Sequence, residues 1–110
     1  MLKTNASINQ LAQEVKDFLS KHIHVDQLIL FGSYKDGSHR EDSDIDIAVI
    51  SEDFNRISIW DRISLLAQVA VAVDSRLELM AFTPKEYSHP ENGSLLKEIK
   101  DNGKILIPLN

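Results

Sequence analysis

The chain has 110 residues, with 12 Lys and Arg against 17 Asp and Glu and no Cys, a length that accommodates one compact domain, 1–110, rather than two. The net charge of −5 speaks against a sequence-independent grip on DNA or RNA, which requires a basic surface. The lack of Cys removes disulfides, thiolate zinc sites, iron–sulfur clusters and cysteine nucleophiles. No apolar h-region follows Met1, and no run reaches the ~18 apolar residues of a membrane span, so a soluble, cytoplasmic domain without membrane contact is expected.

A helical stripe runs from Ser7 to His22, where Ile8, Leu11, Ala12, Val15, Phe18 and Leu19 recur at three- and four-residue steps. Asn5 or Ser7 is its candidate cap. Gln27–Phe31 reads as a short buried strand ending at Gly32, 32–43 as a polar loop carrying Gly37, and Ile45–Ile50 as a second strand. Ser58–Val73 is a second long helix, with Ile59, Ile63, Leu66, Ala70 and Val73 on one face. Trp60 and Leu65 widen that face, giving Trp60 a place in its packing; the breadth exceeds what one sheet face needs and hints at a protein–protein surface. Leu77–Phe82 is a third strand. Thr83-Pro84-Lys85-Glu86 has the form of a capping box with Pro at the first helical position. Ser94–Lys100 is a further short helix that Asn102-Gly103 stops, and Lys104–Ile107 adds an edge strand. Helices alternating with strands predict a sheet covered by helices on at least one face.

Chemistry concentrates between Phe31 and Ile47, where four of the 17 acids lie within 41–46. Gly32 and Gly37 have the separation of a P-loop, but Ser38 stands where that motif needs Lys for the β/γ-phosphates. Asp42, Asp44, Asp46 and Asp53 fit four EF-hand positions, yet Ile47 occupies the position that must be Gly, and the loop would have to absorb a β-forming run. A third reading is metal-dependent nucleotidyl transfer. Gly32-Ser33 ends a buried strand, where backbone N–H groups and a small hydroxyl approach a phosphate closely. Asp44 and Asp46 are two apart at the start of the next strand, so both carboxylates share a face. Such a pair ~5–6 Å apart repels by roughly 3 kcal/mol at an effective dielectric of ~20. A divalent cation removes that penalty, and Mg²⁺ characteristically shares oxygen ligands with substrate phosphates. On these grounds alone, a phosphate-and-metal site and an ordinary solvated acidic turn both stay open.

The same stretch resembles the signature of the minimal nucleotidyltransferases of the DNA polymerase β-like superfamily: Gly-Ser, a second Gly, then Ser-Asp-x-Asp-apolar. It stands here as Gly32-Ser33-Tyr34-Lys35-Asp36-Gly37 and, after five residues, Ser43-Asp44-Ile45-Asp46-Ile47. The likeness extends to the leading helix, the long middle helix, the third strand running into Thr83-Pro84-x-Glu86, and a terminal helix ending at Gly103. It implies an α+β fold, a small mixed sheet with helices packed mainly on one face. It implies that Gly32 and Ser33, with Gly37 and Ser43 of the signature, bind the triphosphate of an NTP, with ATP expected. Asp44 and Asp46 would hold Mg²⁺. A third carboxylate on the following strand would bridge a metal and help to activate the acceptor hydroxyl; Glu78, on the strand face opposite Leu77 and Leu79, is the candidate. Two departures from the family pattern are Glu rather than Asp at 78, and Lys35-Asp36 where many relatives carry a small residue and then a basic one. His39 and Arg40 are candidate replacements for that charge.

The resemblance further implies transfer of a nucleoside monophosphate, AMP being expected, to an acceptor hydroxyl with release of pyrophosphate. Relatives are often antitoxins paired with a helical HEPN protein, which implies modification of a Tyr of that partner, so a nucleotide, a protein partner and a homo- or hetero-oligomer are expected. Two alternatives stand beside it: a binding module, weak or inactive in catalysis, that neutralises its partner by contact, and a small-molecule nucleotidyltransferase that borrows a helical domain from another chain. His22-Ile23-His24 lacks a nearby third ligand and reads as a solvated helix end. Tyr34 reads as a loop aromatic, with stacking or modification as the other possibilities. Setting Asp44, Asp46 and Glu78 aside as a metal site leaves −2 of the −5, which softens the charge argument against nucleic acid; the short length then points to a partner.

Overall fold

The computed structural model describes residues 5–37, 40 and 43–109. Helix α1 (Asn5–Leu19) buries Ile8, Leu11, Ala12, Val15 and Leu19, the stripe that the three- and four-residue spacing predicts. Both Asn5 and Ser7 lie within the described helix. At its other end the Ser20 hydroxyl donates to the Lys16 carbonyl (2.7 Å), and the N–H groups of His22 and Ile23 both reach the Leu19 carbonyl (2.8 Å each). This tightened turn ends α1 before His22.

Strand β1 (Gln27–Phe31) is followed by a one-turn helix α2 (Ser33–Asp36), then by β2 (Ile45–Ile50). Helix α2 lies within the segment expected to be a loop. Two glycines bracket it, and the Gly37 N–H closes it on the Ser33 carbonyl. A 3₁₀ turn (Glu52–Arg56) leads into α3 (Ile59–Ala72), followed by β3 (Leu77–Phe82), α4 (Pro84–Ser88), α5 (Leu95–Asn102) and β4 (Lys104–Ile107). The capping box forms as expected: Thr83 Oγ1 accepts from the Glu86 N–H (3.2 Å), and the Thr83 N–H donates to Glu86 Oε1 (2.9 Å). Gly103 ends α5 in an extended conformation, for a steric reason: a Cβ there would overlap the Ile99 carbonyl and stand 2.6 Å from Ile29 Cγ2.

The four strands form one mixed sheet in the order β3-β2-β1-β4. β1 pairs antiparallel with β2 and with β4, while β2 and β3 are parallel and are joined through α3, as a parallel pair requires. The fold is thus α+β, as the family likeness implies. One sheet face carries Leu28, Leu30, Ile45, Ile47, Val49 and Leu77, buried with the α1 and α3 residues in the main core. The other face carries Ile29, Ala48 and Ile50, buried with Ile99 of α5 and bordered by Phe31, Phe82 and Tyr87. By strand alternation, Asp46 and Glu78 belong to this second face, beyond its apolar patch. Among the described residues, no helix is long and apolar enough to cross a membrane.

The helix α3 stripe divides. Leu65, Leu66 and Val69 are buried, but Ile59, Trp60 and Ile63 are 64%, 77% and 56% exposed. Trp60 is therefore not a packing residue of the core. The main core is closed instead by α1 and by Phe54 of the 3₁₀ turn, which leaves the first turn of α3 without a layer to cover it.

A polar clamp joins the end of β2 to the chain entering β1. The buried Ser51 hydroxyl donates to the His24 carbonyl (2.5 Å) and accepts from the Asp53 N–H (3.1 Å). The His24 N–H donates to Asp53 Oδ2 (2.7 Å), and the Glu52 N–H to Asp26 Oδ2 (2.8 Å). The His24 N–H, then the Arg56 guanidinium, hold the Asp53 carboxyl below its ordinary range. Ser51→Ala is expected to destabilise the fold by about 1–2 kcal/mol, because it leaves the His24 carbonyl and the Asp53 N–H without their partner. Denaturant titration would read this as a lower midpoint at unchanged slope.

Candidate active site

The neighbouring strands β2 and β3 bring the predicted acids together. Asp46 lies opposite Phe31 across the β1–β2 ladder and opposite Glu78 across the β2–β3 ladder. Asp44 precedes it by two residues and is exposed, as is Glu78. Asp46 is pushed above its ordinary pKa, first by burial, then by the charge of Glu78, then by that of Asp44. Among the described residues, no group of three His, Asp or Glu side chains is arranged to hold a metal ion. The donor set nevertheless suits Mg²⁺, which takes a few carboxylate oxygens and completes its shell with water and substrate phosphates.

Gly32 sits against this group. Its φ of 75° and ψ of −154° lie in a region that essentially only Gly occupies. A Cβ at this position would overlap Asp46 Oδ2. The strand-to-helix corner can therefore pass directly beside the carboxylate only without a side chain. Ser33 follows as the first residue of α2 and is half-buried. The Gly32-Ser33 corner and the acids thus meet at the end of β1 and the start of β2.

Other predicted residues have structural partners. The Ser43 hydroxyl accepts from the Arg40 N–H (2.7 Å), and the Ser43 N–H donates to the Arg40 carbonyl (3.1 Å). Tyr34 is buried in the main core, so it is neither a loop aromatic nor an exposed modification target. Its hydroxyl meets Arg76 Nη1 at 3.4 Å. Arg76 in turn pairs with Asp74 (2.9 Å), and its carbonyl accepts the Ile45 N–H (2.8 Å). Arg76 therefore ties α2, the start of β2 and the entry to β3 together. The sequence carried no signal for it beyond a basic residue in a polar turn. His22 packs on Phe18 with centroids 5.8 Å apart, and His24 Nε2 lies 3.3 Å from Asp26 Oδ1. His39, Asp42 and the Asp36 side chain lie outside the described residues.

The family model described as polymerase beta, nucleotidyltransferase matches residues 13–109. This chain belongs to that nucleotidyltransferase family. Two of its relatives are named for protein adenylylation. MJ1379 of Methanocaldococcus jannaschii, assigned as a protein adenylyltransferase, is 29% identical over 81% of this chain and 87% of its own length. The protein adenylyltransferase MntA of Shewanella oneidensis is 34% identical over 66% of this chain, which spans about half of it, 48%. Among solved structures, a toxin–antitoxin with AMP-PNP matches at TM-score 0.64 and 27% identity, covering 89% of this chain and 73% of that one. A variant of the MntA-HpeT toxin–antitoxin, in which two aspartates two residues apart are replaced by glutamate, matches at TM-score 0.61 and 26% identity over the same shares. A nucleotidyltransferase structure from Sulfolobus solfataricus, 17% identical at TM-score 0.64, shares the fold.

The raised pKa of Asp46 has a consequence for stability. Between the ordinary carboxyl value of 3.8 and the raised value of Asp46, the native state binds more protons than the unfolded chain. Stability therefore falls as pH rises through that interval. Asp46→Asn removes the penalty and is expected to raise the Tm of the metal-free domain. Thermal melts at pH 3 and pH 8 check the sign: the gain appears at pH 8 and vanishes at pH 3, where the wild-type carboxyl is already neutral.

Proposed function

We propose that this chain is a Mg²⁺-dependent adenylyltransferase that moves AMP from ATP to a hydroxyl, a Tyr being favoured, on a helical HEPN-type partner protein. In this reading it acts as a cytoplasmic antitoxin. The observation that carries it is the side-chain-free corner at Gly32 pressed against Asp46, with Asp44 and Glu78 on either side. Bound Mg²⁺ would supply the positive charge that the acids lack and steady the phosphate oxygens during in-line displacement. Asp44 and Asp46 are the residues to hold it. Gly32 and Ser33 bind and orient the triphosphate through backbone N–H groups and the Ser33 hydroxyl, with Gly37 and Ser43 fixing the ends of their loop. Glu78 faces the acceptor and takes the proton from its hydroxyl. The acceptor oxygen then bonds to the α-phosphorus as the bond to the departing pyrophosphate breaks.

A second reading is favoured by one departure from the family pattern, Glu in place of Asp at 78. The domain would then neutralise its partner by contact. Incubation with α-labelled ATP, Mg²⁺ and the protein encoded by the neighbouring gene separates the two. Label on the partner together with relief of toxicity supports transfer. Relief without label, in a reaction that consumes no ATP, sinks the catalytic reading and leaves contact.

A further inference from the structure

The nucleotide side and the acceptor side of the site are separable by strand order. Gly32 and Ser33 follow β1, Asp46 is on β2, and Glu78 is on β3, so the phosphate-binding corner and Glu78 flank Asp46 from opposite sides. In-line displacement places the attacking and leaving oxygens on opposite sides of phosphorus. With the triphosphate anchored beside β1, the acceptor hydroxyl arrives from the β3 side.

A groove of about 530 Å³ lies on that side, between α3 and β3. Ile59, Ile63, Leu66 and Ala70 line its helical wall, and the whole of β3, Glu78 included, lines the other. β3 is an edge strand whose partner in the sheet is β2, so its outer backbone groups are available to a further strand. The apolar wall is continuous with the exposed first turn of α3, where Ile59, Trp60 and Ile63 stand out from the core. A contiguous apolar patch beside a reaction site calls for a partner. The groove's polar residues are Glu78, Glu86 and Arg62. The Arg62 guanidinium is held on the Ile57 and Phe54 carbonyls and the Glu86 carboxylate on the Thr83 N–H, and together with Glu78 they leave the groove one net negative charge.

We infer that this groove is the acceptor's docking site, taking an extended apolar segment of the partner protein, basic at its flank, as an added strand along β3 with its hydroxyl residue at Glu78. The inference rests on the transfer reading above and adds the recognition mode: backbone bonds to the strand edge give affinity, and alternate side chains against α3 give specificity. It also explains why the helix stripe of α3 is longer than the core needs. Ile59 and Ile63 serve the incoming segment instead.

The test uses the full chain with the partner protein as acceptor. Ile59→Glu combined with Ile63→Glu alters exposed positions and leaves the core intact. The expected result is a KM for the partner raised at least tenfold, with ATP affinity by calorimetry and Tm unchanged. In the Asp44→Asn plus Asp46→Asn protein, which binds without turning over, the partner is expected to slow hydrogen exchange of the outward β3 amides at least tenfold. A wild-type KM for the groove variant and unprotected β3 amides, while wild type still labels the partner, overturn the groove and leave the transfer reading standing. So does a second copy in the groove, seen as a doubled mass by light scattering that the groove variant halves without changing KM. Absence of labelling by wild type itself overturns the transfer reading, and the groove with it.

Discussion

Asp44→Asn combined with Asp46→Asn is expected to lower AMP transfer at least ~10³-fold. The two carboxylates are the groups that would bring positive charge to the phosphate, and metal-assisted charge stabilisation is worth several kcal/mol in the transition state, ~4 kcal/mol being about 10³ in rate. Single-turnover transfer from α-labelled ATP measures the loss directly. The fold is expected to survive, because removing two of three mutually repelling acids relieves the push that burial, Glu78 and Asp44 exert on Asp46. The double variant is thus expected to melt no lower than wild type while losing its gain on Mg²⁺ addition. A folded double variant that still transfers at more than a tenth of the wild-type rate would refute the metal-site assignment. Glu78→Gln should be milder, about 10²-fold, in line with loss of a general base rather than of the metal. It should also remove part of the electrostatic push on Asp46, whose second cause is the Glu78 charge.

Gly32→Ala is the second large expectation. The position combines a backbone conformation of φ 75°, ψ −154° with a carboxylate oxygen that occupies the space of a Cβ. The strain costs about 1–3 kcal/mol and the overlap about as much again, so a loss of about 2–6 kcal/mol is expected. The same methyl pushes Asp46 from its place, so transfer should fall at least ~10²-fold at temperatures where the variant is still folded. Ser33→Ala, one residue on, keeps the backbone and loses one hydroxyl, with about a tenfold effect on ATP affinity expected. Equal effects at 32 and 33, with no change in Tm at 32, would show that the close approach to Asp46 is unimportant. Melting curves and ATP titrations of the two variants make the comparison.

Much of the fold was legible because its determinants are local. The α1 stripe, the Thr83 capping box and the apolar runs of β1, β2 and β3 depend on residues within a few positions of one another, and each formed over close to the expected span. The one-turn helix α2 was not legible, since four residues between two glycines look like loop until the chain on either side is held. Trp60 and Tyr34 were exchanged in role for a related reason. Periodicity says which residues share a helix face but not which face finds a partner. The core took Tyr34 through its neighbours on α1, β1 and β2, and left Trp60 outside.

For the site, the Gly-Ser corner and the Asp-x-Asp spacing are sequence properties, although β2 begins at Ile45 and leaves Asp44 just ahead of the strand that was expected to hold both acids. Glu78 was also nameable from the family pattern. What the tertiary structure alone decided is that Glu78 stands in register with Asp46, that Gly32 touches the same carboxylate, and that an apolar groove runs along β3 from Glu78. These are relations between segments 14 and 32 residues apart in the chain. They are set by strand order and register, which the packing of both sheet faces selects and no local pattern encodes.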